Sequence, residues 1–230
     1  MLAVASIPRS EKSLPPLENG DHLDTFEFLR RYEAMADSVK AELVDGIVYM
    51  ASPVSLLHAE PDGLIQSWLG YYAAHTPGVA HYVNGTLILD TETTLQPDGI
   101  LCLRPHAGGR TAPTVDKYLS GPPELVIEVA GSSVSLDLDQ KLYAYRRHGV
   151  GEYLVWSTRD AEFYWFALEE GRFVPNPPQE DGIIRSRRFP GLHLAVHALL
   201  SMQGAQVLAA LQTGLQTPEH ATFAASLAAP

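Results

Sequence analysis

Leu125-Val126-Ile127-Glu128-Val129 constrains this chain more than any other stretch. It is aliphatic on both faces and bounded by Pro122-Pro123 and Gly131-Ser132-Ser133, so it reads as a strand buried on both sides. Glu128 stands in its middle. An ionised carboxylate there is costly unless it is paired or bound to a metal. Glu128 therefore needs a partner, or else it lies on a strand edge facing water.

Composition narrows the search for that partner. The chain has 230 residues, 46% of them hydrophobic, enough for one domain with a real core. Its 16 basic and 27 acidic residues give a net charge of −11, which disfavours general polyanion binding. A nucleic-acid substrate would require locally concentrated basic residues or metal ions. Cys102 is the single cysteine, so no internal disulfide forms and a reducing cytosol fits. No apolar run is long enough to span a membrane, and the start MLAVASIPRSEK is too short in apolar residues for a secretory signal.

Residues 1–22 are rich in Pro, Ser and Gly and read as a flexible N-terminal arm. The domain itself is expected over 23–200, with a helical extension over 201–230. A helix capped by Thr25 is expected over TFEFLRRYEAMADS, followed by a hairpin around Asp45-Gly46. A second helix covers Leu56 to Ala74, with Pro61 and Gly63 near its true start. Asn84-Gly85 reads as a second hairpin turn. Gln96 to Leu103 is the next strand, and Arg104 to Ser120 a polar connection. Asp137 to His148 is a helix closed by Gly149. Strands at EYLVWS and EFYWFAL follow, then short strand candidates around Phe189-Pro190-Gly191. The whole predicts an α/β fold, a mixed twisted sheet of about five to seven strands flanked by helices.

Two strands carry an acid near one end and apolar residues beyond it: Asp98 and Glu128. Alternation puts Asp98, Ile100 and Cys102 on one face, and Val126, Glu128 and Ala130 on one face. If the strands are neighbours, the two carboxylates converge and repel unless a cation lies between them. A hard divalent cation such as Mg2+ wants oxygen ligands, and a water bound to it needs a cationic neighbour for orientation. Lys141, on the helix after the Glu128 strand, is the candidate. Taken singly, the residues also have plain readings. Asp98, between Pro97 and Gly99, fits a turn, and Lys141 fits a surface pair with Asp137.

Other constellations are weaker. His193 and His197 are four apart but lack the glutamate of H-E-x-x-H, and no nucleophile elbow or phosphate-binding Gly loop occurs. The basic clusters Arg146-Arg147-His148 and Arg185, Arg187, Arg188 suit phosphates or a solvated face. The aromatic run Phe163 to Phe166 puts large rings on both strand faces, which points to cover by a second subunit and a homodimer.

The pieces AELVDGIVYMASP, His58, QPDGIL, PELVIEVA, the D-x-x-x-K-x-x-x-Y of Asp137, Lys141 and Tyr145, RRHGVGEYLVW and FPGLHL stand in one order. That ordered set, from roughly Leu23 to Leu200, resembles the Uma2 family of restriction-endonuclease-like proteins, in the PD-(D/E)xK nuclease superfamily. The resemblance implies a restriction-endonuclease-like core and an endonuclease cutting DNA with Mg2+ or Mn2+. It makes Asp98 and Glu128 metal ligands, Glu42 a further acid that binds metal directly or through water, and Lys141 the catalytic lysine. His58 becomes an accessory group. The strict E-x-K motif would place its lysine at Ala130, so the lysine here has moved to the following helix. Relatives carry H-G-x-P-H where this chain has His58-Ala59-Glu60-Pro61-Asp62. A non-enzymatic reading also stands, in which the fold serves as a dimerisation or binding module; net acidity and the broken motif motivate it.

Overall fold

The computed structural model describes residues 14–36, 38–51, 56–131 and 134–227. In chain order the elements are α1 (Thr25–Tyr32), β1 (Ala41–Val44), β2 (Ile47–Met50), α2 (Leu56–Ala74), β3 (Val79–Val83), β4 (Leu87–Ile88), β5 (Thr94–Leu95) and β6 (Gly99–Leu103). After a 3-10 turn at Pro105–Ala107 come β7 (Ala112–Pro113), β8 (Leu119–Ser120) and β9 (Leu125–Ala130). One turn of helix, α3 (Val134–Leu136), leads through a π-helical turn (Asp137–Lys141) into α4 (Leu142–His148). The chain then forms β10 (Glu152–Ser157), β11 (Glu162–Glu169), β12 (Arg172–Pro175), β13 (Ile183–Arg185) and β14 (His193–Ala195), and ends in α5 (Val196–Leu200), α6 (Gly204–Leu215) and α7 (Pro218–Leu227).

The large sheet has six strands in the order β12-β11-β10-β9-β6-β3. It is mixed: β9 and β10 run parallel, joined by the α3–α4 crossover, and the other pairs are antiparallel. A second sheet of short strands has the order β2-β1-β5-β4-β8-β7, and β13 pairs with β14. The expected mixed sheet flanked by helices is therefore present, and a smaller sheet accompanies it.

β9 is buried at all six positions, in line with its unbroken apolar character. Its side chains alternate between two cores. Ile127 and Val129 join Leu101, Ile65, Trp68, Leu69 and Tyr72 on the α2 side, together with Val207 and Leu211 of α6. Val126 and Ala130 join Ile100, Cys102, Ala144 and Tyr145 on the α4 side, together with Val44, Leu87 and Leu95 from the small sheet. Burying each such large side chain stabilises the fold by about 1.5–3 kcal/mol. The helices beyond residue 200 contribute to the first core, through Val207, Leu211 and Leu227. No helix among the described residues is long and apolar enough to cross a membrane.

Several expectations are corrected. Asn84-Gly85 is not a hairpin turn, because β3 and β4 belong to different sheets. Asn84 takes φ 51° and donates its N–H to the Asp98 carbonyl at 3.0 Å, so the pair marks where the chain leaves one sheet for the other. α1 is capped by Asp24, whose Oδ1 accepts from Glu27 N at 2.8 Å, while the Thr25 hydroxyl turns to the Asp90 carbonyl. That helix ends at Tyr32, where Ala34 and Met35 tighten to i→i−3 hydrogen bonds. Of the expected arm, residues 1–13 lie outside the described residues, and residues 14–22 are anchored. Leu17 is buried, and Gly20 and Asp21 exchange backbone hydrogen bonds with Val48. α2 begins five residues before Pro61, which is buried within it. The helix expected over 137–148 opens with the π turn, and Gly149 closes it at φ 80°.

Candidate active site

β6 and β9 are antiparallel neighbours in the register Gly99↔Ile127. One step further along that ladder sets Asp98 opposite Glu128. Asp98 Oδ2 accepts the Val129 backbone N–H at 2.7 Å, locking its carboxylate to the end of β9. Gly99 permits this close crossing: a Cβ there would stand 2.8 Å from Ile127 Cγ2 and 3.0 Å from Leu69 Cδ1.

Glu128 finds its partner in Lys141. Nζ lies 3.2 Å from Glu128 Oε1, 2.7 Å from Glu42 Oε2 and 3.3 Å from Asp137 Oδ1. The lysine is 5% exposed, so the expected surface pair with Asp137 is a buried one. Tyr145, one turn along α4, donates its hydroxyl to Glu128 Oε1 at 2.8 Å. Glu42 reaches in from β1, and its Oε1 accepts the Gln96 N–H at 2.8 Å. Tyr153 donates to the Asp137 carbonyl at 2.9 Å, tying the π turn to β10. That turn is where Asp137 and Lys141 both become buried, and π turns recur at functional sites.

The electrostatics follow from one ammonium among several carboxylates. Burial pushes the Glu128 carboxyl well up, against the pull of Lys141, and the charges of Glu42, Asp137 and Asp98 push it further. Burial pulls Lys141 down, but Glu128, Glu42 and Asp137 together outweigh that and hold it well up. The lysine is therefore a fixed cation across the physiological range. Burial also raises the Tyr145 hydroxyl well above its ordinary value, so it stays a hydrogen-bond donor.

His58 and Asp62 approach from α2. His58 Nε2 lies 3.4 Å from Asp98 Oδ1, and the Asp98 carboxylate beside it raises the imidazole above its usual value against the opposing effect of burial. Asp62 Oδ1 accepts from Gln66 Nε2 at 2.6 Å; burial raises this carboxyl and the Gln66 hydrogen bond restrains it. Ligand atoms of His58, Asp62 and Asp98 all lie within 4.8 Å of one another, a grouping that fits a divalent cation by its donor chemistry. It is the one such group of three among the described residues.

The five residues singled out from sequence thus fall into two adjoining clusters. Lys141 draws Glu42 and Glu128 together on the α4 side, and Asp98 meets His58 on the α2 side. The Asp98–Val129 hydrogen bond joins the two. Sequence reasoning left the role of Asp62, in place of the relatives' histidine, open; the signal for one was its four-residue spacing from His58 on one helix face. The alternative clusters are occupied elsewhere: Arg147 Nη2 lies 2.7 Å from Asp45, His148 Nε2 lies 2.8 Å from Asp90, and Arg185 Nη2 lies 2.5 Å from Asp181.

Acids from adjacent strands of a mixed sheet, with a lysine and a histidine beside them, form the candidate site of this α/β protein. The sequence profile of the Uma2 family, described as "putative restriction endonuclease", matches residues 26–197, and the chain belongs to that family. The crystal structure of a "putative nuclease" belonging to DUF820 from Anabaena variabilis shares the fold, with a TM-score of 0.60 and 11% identity over 75% of this chain and 97% of that one. No curated protein matches the sequence.

Proposed function

We propose that the protein is a metal-dependent endonuclease that hydrolyses phosphodiester bonds in DNA. Family membership supports the reaction class. The observation that carries the reading is Lys141: the helix after β9 returns its ammonium to within 3.2 Å of Glu128, beside the strand end that holds Asp98. Asp98, on the His58 side, and Glu128 and Glu42, on the Lys141 side, are the carboxylates proposed to serve Mg2+ or Mn2+, with His58 as an accessory group. A bound cation supplies charge to the scissile phosphate and lowers the pKa of water.

The chain's own groups do the rest. The Lys141 ammonium, set among Glu42, Glu128 and Asp137, would turn one N–H from a carboxylate to the attacking water, and its charge offsets the negative charge gathering on the phosphoryl oxygens. Tyr145 fixes the rotamer of Glu128 through Oε1. Glu42 and Asp137 keep the lysine protonated, so that it acts by position and charge. With a net charge of −11, the protein relies on the bound cation and this local cation to receive a polyanion.

The same reading places the protein in the cytosol as a homodimer. The aromatic run that motivates the dimer packs within the chain: Trp165 meets Trp68 edge-on with ring centroids 6.0 Å apart. A silent binding module is the second reading, and it is favoured by one observation: Lys141 and Tyr145 already engage Glu128 Oε1.

Cleavage of plasmid, linear and single-stranded DNA, with and without Mg2+ or Mn2+, tests the proposal. Metal-dependent cutting that disappears in Asp98→Ala is the expected result. A folded protein that cuts no DNA form with either metal leaves the module reading. Unchanged cutting by Asp98→Ala removes the site assignment. Sedimentation of the purified chain decides the dimer.

A further inference from the structure

We propose that α2 completes the metal centre: His58 and Asp62, one helical turn apart, join Asp98 in holding a single divalent cation through one imidazole nitrogen and two carboxylate oxygens. Gln66 and His81 are positioning residues behind Asp62. The proposal deepens the nuclease reading and rests on it for its use, although binding of the cation needs no DNA.

The geometry has the properties of a built site. The three ligand atoms lie within 4.8 Å of one another, so side-chain shifts of about half an ångström bring them onto one cation. Each carboxylate is held from outside the trio. Asp98 Oδ2 takes the Val129 N–H at 2.7 Å, and Asp62 Oδ1 takes Gln66 Nε2 at 2.6 Å. Those bonds fix the direction of the remaining oxygens. Gln66 cannot turn over freely, because Nε2 also donates to the Asp98 carbonyl at 2.8 Å while Oε1 faces His81 Nε2 at 2.8 Å. Outer groups that hold metal ligands in this way affect affinity nearly as strongly as the ligands do.

The donor set also selects the cation. Carboxylates alone suit Mg2+ and Ca2+, whereas an imidazole nitrogen favours first-row transition ions. One nitrogen with two oxygens suits Mn2+, which accepts both donor types, ahead of Mg2+.

The test is calorimetric titration of the full-length chain with MnCl2 and with MgCl2, joined to pulsed electron paramagnetic resonance of the Mn2+-loaded protein. The expected result is one Mn2+ site, tighter than the Mg2+ site, with a nitrogen coupling from imidazole. His58→Ala abolishes that coupling, and His75→Ala, just past the far end of α2, retains it. Asp62→Asn and Gln66→Ala each weaken Mn2+ by about 10–100-fold. The coupling is read on the unmutated protein, so misfolding of a variant cannot mimic a negative result. Absence of nitrogen coupling in the unmutated protein, or unaltered Mn2+ affinity in both His58→Ala and Asp62→Asn, overturns the proposal. Mn2+ bound at the trio without cleavage of any DNA keeps this centre and removes the nuclease reading. Cleavage alongside unaltered binding in those variants does the reverse.

Discussion

Lys141 Nζ lies 2.7 Å from Glu42 Oε2, although Glu42 belongs to the small sheet and Lys141 to the crossover that serves the large one. One ammonium thus bonds two halves of the fold. Removing it strands Glu42, Glu128 and Asp137 together in a buried space. Lys141→Ala is expected to lose about 3–5 kcal/mol of stability, the usual cost of breaking a buried ion pair from one side. Urea denaturation measures it. A loss below about 1 kcal/mol, typical of an exposed pair, contradicts the buried arrangement.

Tyr145→Phe deletes one hydroxyl and leaves the ring contact with Tyr153, at a centroid distance of 4.8 Å, in place. The lost hydrogen bond to Glu128 predicts a stability change of about 0.5–1.5 kcal/mol. Cleavage should fall further than stability does, because Glu128 then loses the shorter of the two hydrogen bonds that orient Oε1. Equal cleavage rates in Tyr145→Phe and the unmutated protein rule out an orienting role.

Glu152 gives the pH dependence. It is buried at the start of β10, where Ser186 Oγ donates to Oε2 at 2.5 Å and Arg187 N to Oε1 at 2.7 Å. Burial pushes its carboxyl up to about 7, against those hydrogen bonds. The folded pKa exceeds the unfolded one, so the native state holds the proton more tightly. The associated stability is complete below about pH 4.5 and is lost as pH rises through about 7, for a total of roughly 3 kcal/mol. Urea midpoints at pH 5 and pH 8 should differ accordingly, and Glu152→Gln should flatten the difference. A midpoint that rises over this range in the unmutated protein, but not in Glu152→Gln, refutes the assignment.

Gly99→Ala inserts a methyl group 2.8 Å from Ile127 Cγ2 and 3.2 Å from Gln66 Oε1. Overpacking of this kind costs about 1–3 kcal/mol. The displacement falls on β6 just after Asp98, so cleavage should drop together with the melting temperature. A variant as stable as the unmutated protein shows that the strands do not approach this closely.

Some of this was legible in sequence because local patterns and long-range contacts agreed. β9 and β6 each carried an acid and then apolar residues, and they pair. Asp45-Gly46 turned a hairpin because both residues take positive φ, 49° and 79°. Asn84-Gly85 offered the same local chemistry and misled: Asn84 takes φ 51°, yet its flanking segments pair with other strands, β3 with β6 and β4 with β5. The role of Asp62 stayed open for a related reason. Pro61 and Gly63 argued for a helix boundary there, so His58 and Asp62 were not placed on one continuous face. Pro61 is instead buried inside a helix that runs unbroken from Leu56.

The change of sheet at Asn84 has a mechanical consequence. Glu42 rides on one sheet and Glu128 on the other, and the shared ammonium is a rivet between two plates. A small hinge motion of either plate shears the rivet before it disturbs any single strand. The geometry around Lys141 is therefore a gauge of how the plates are set. A chimera that exchanged one sheet for a relative's would be read out first at Lys141, with every strand still correctly folded.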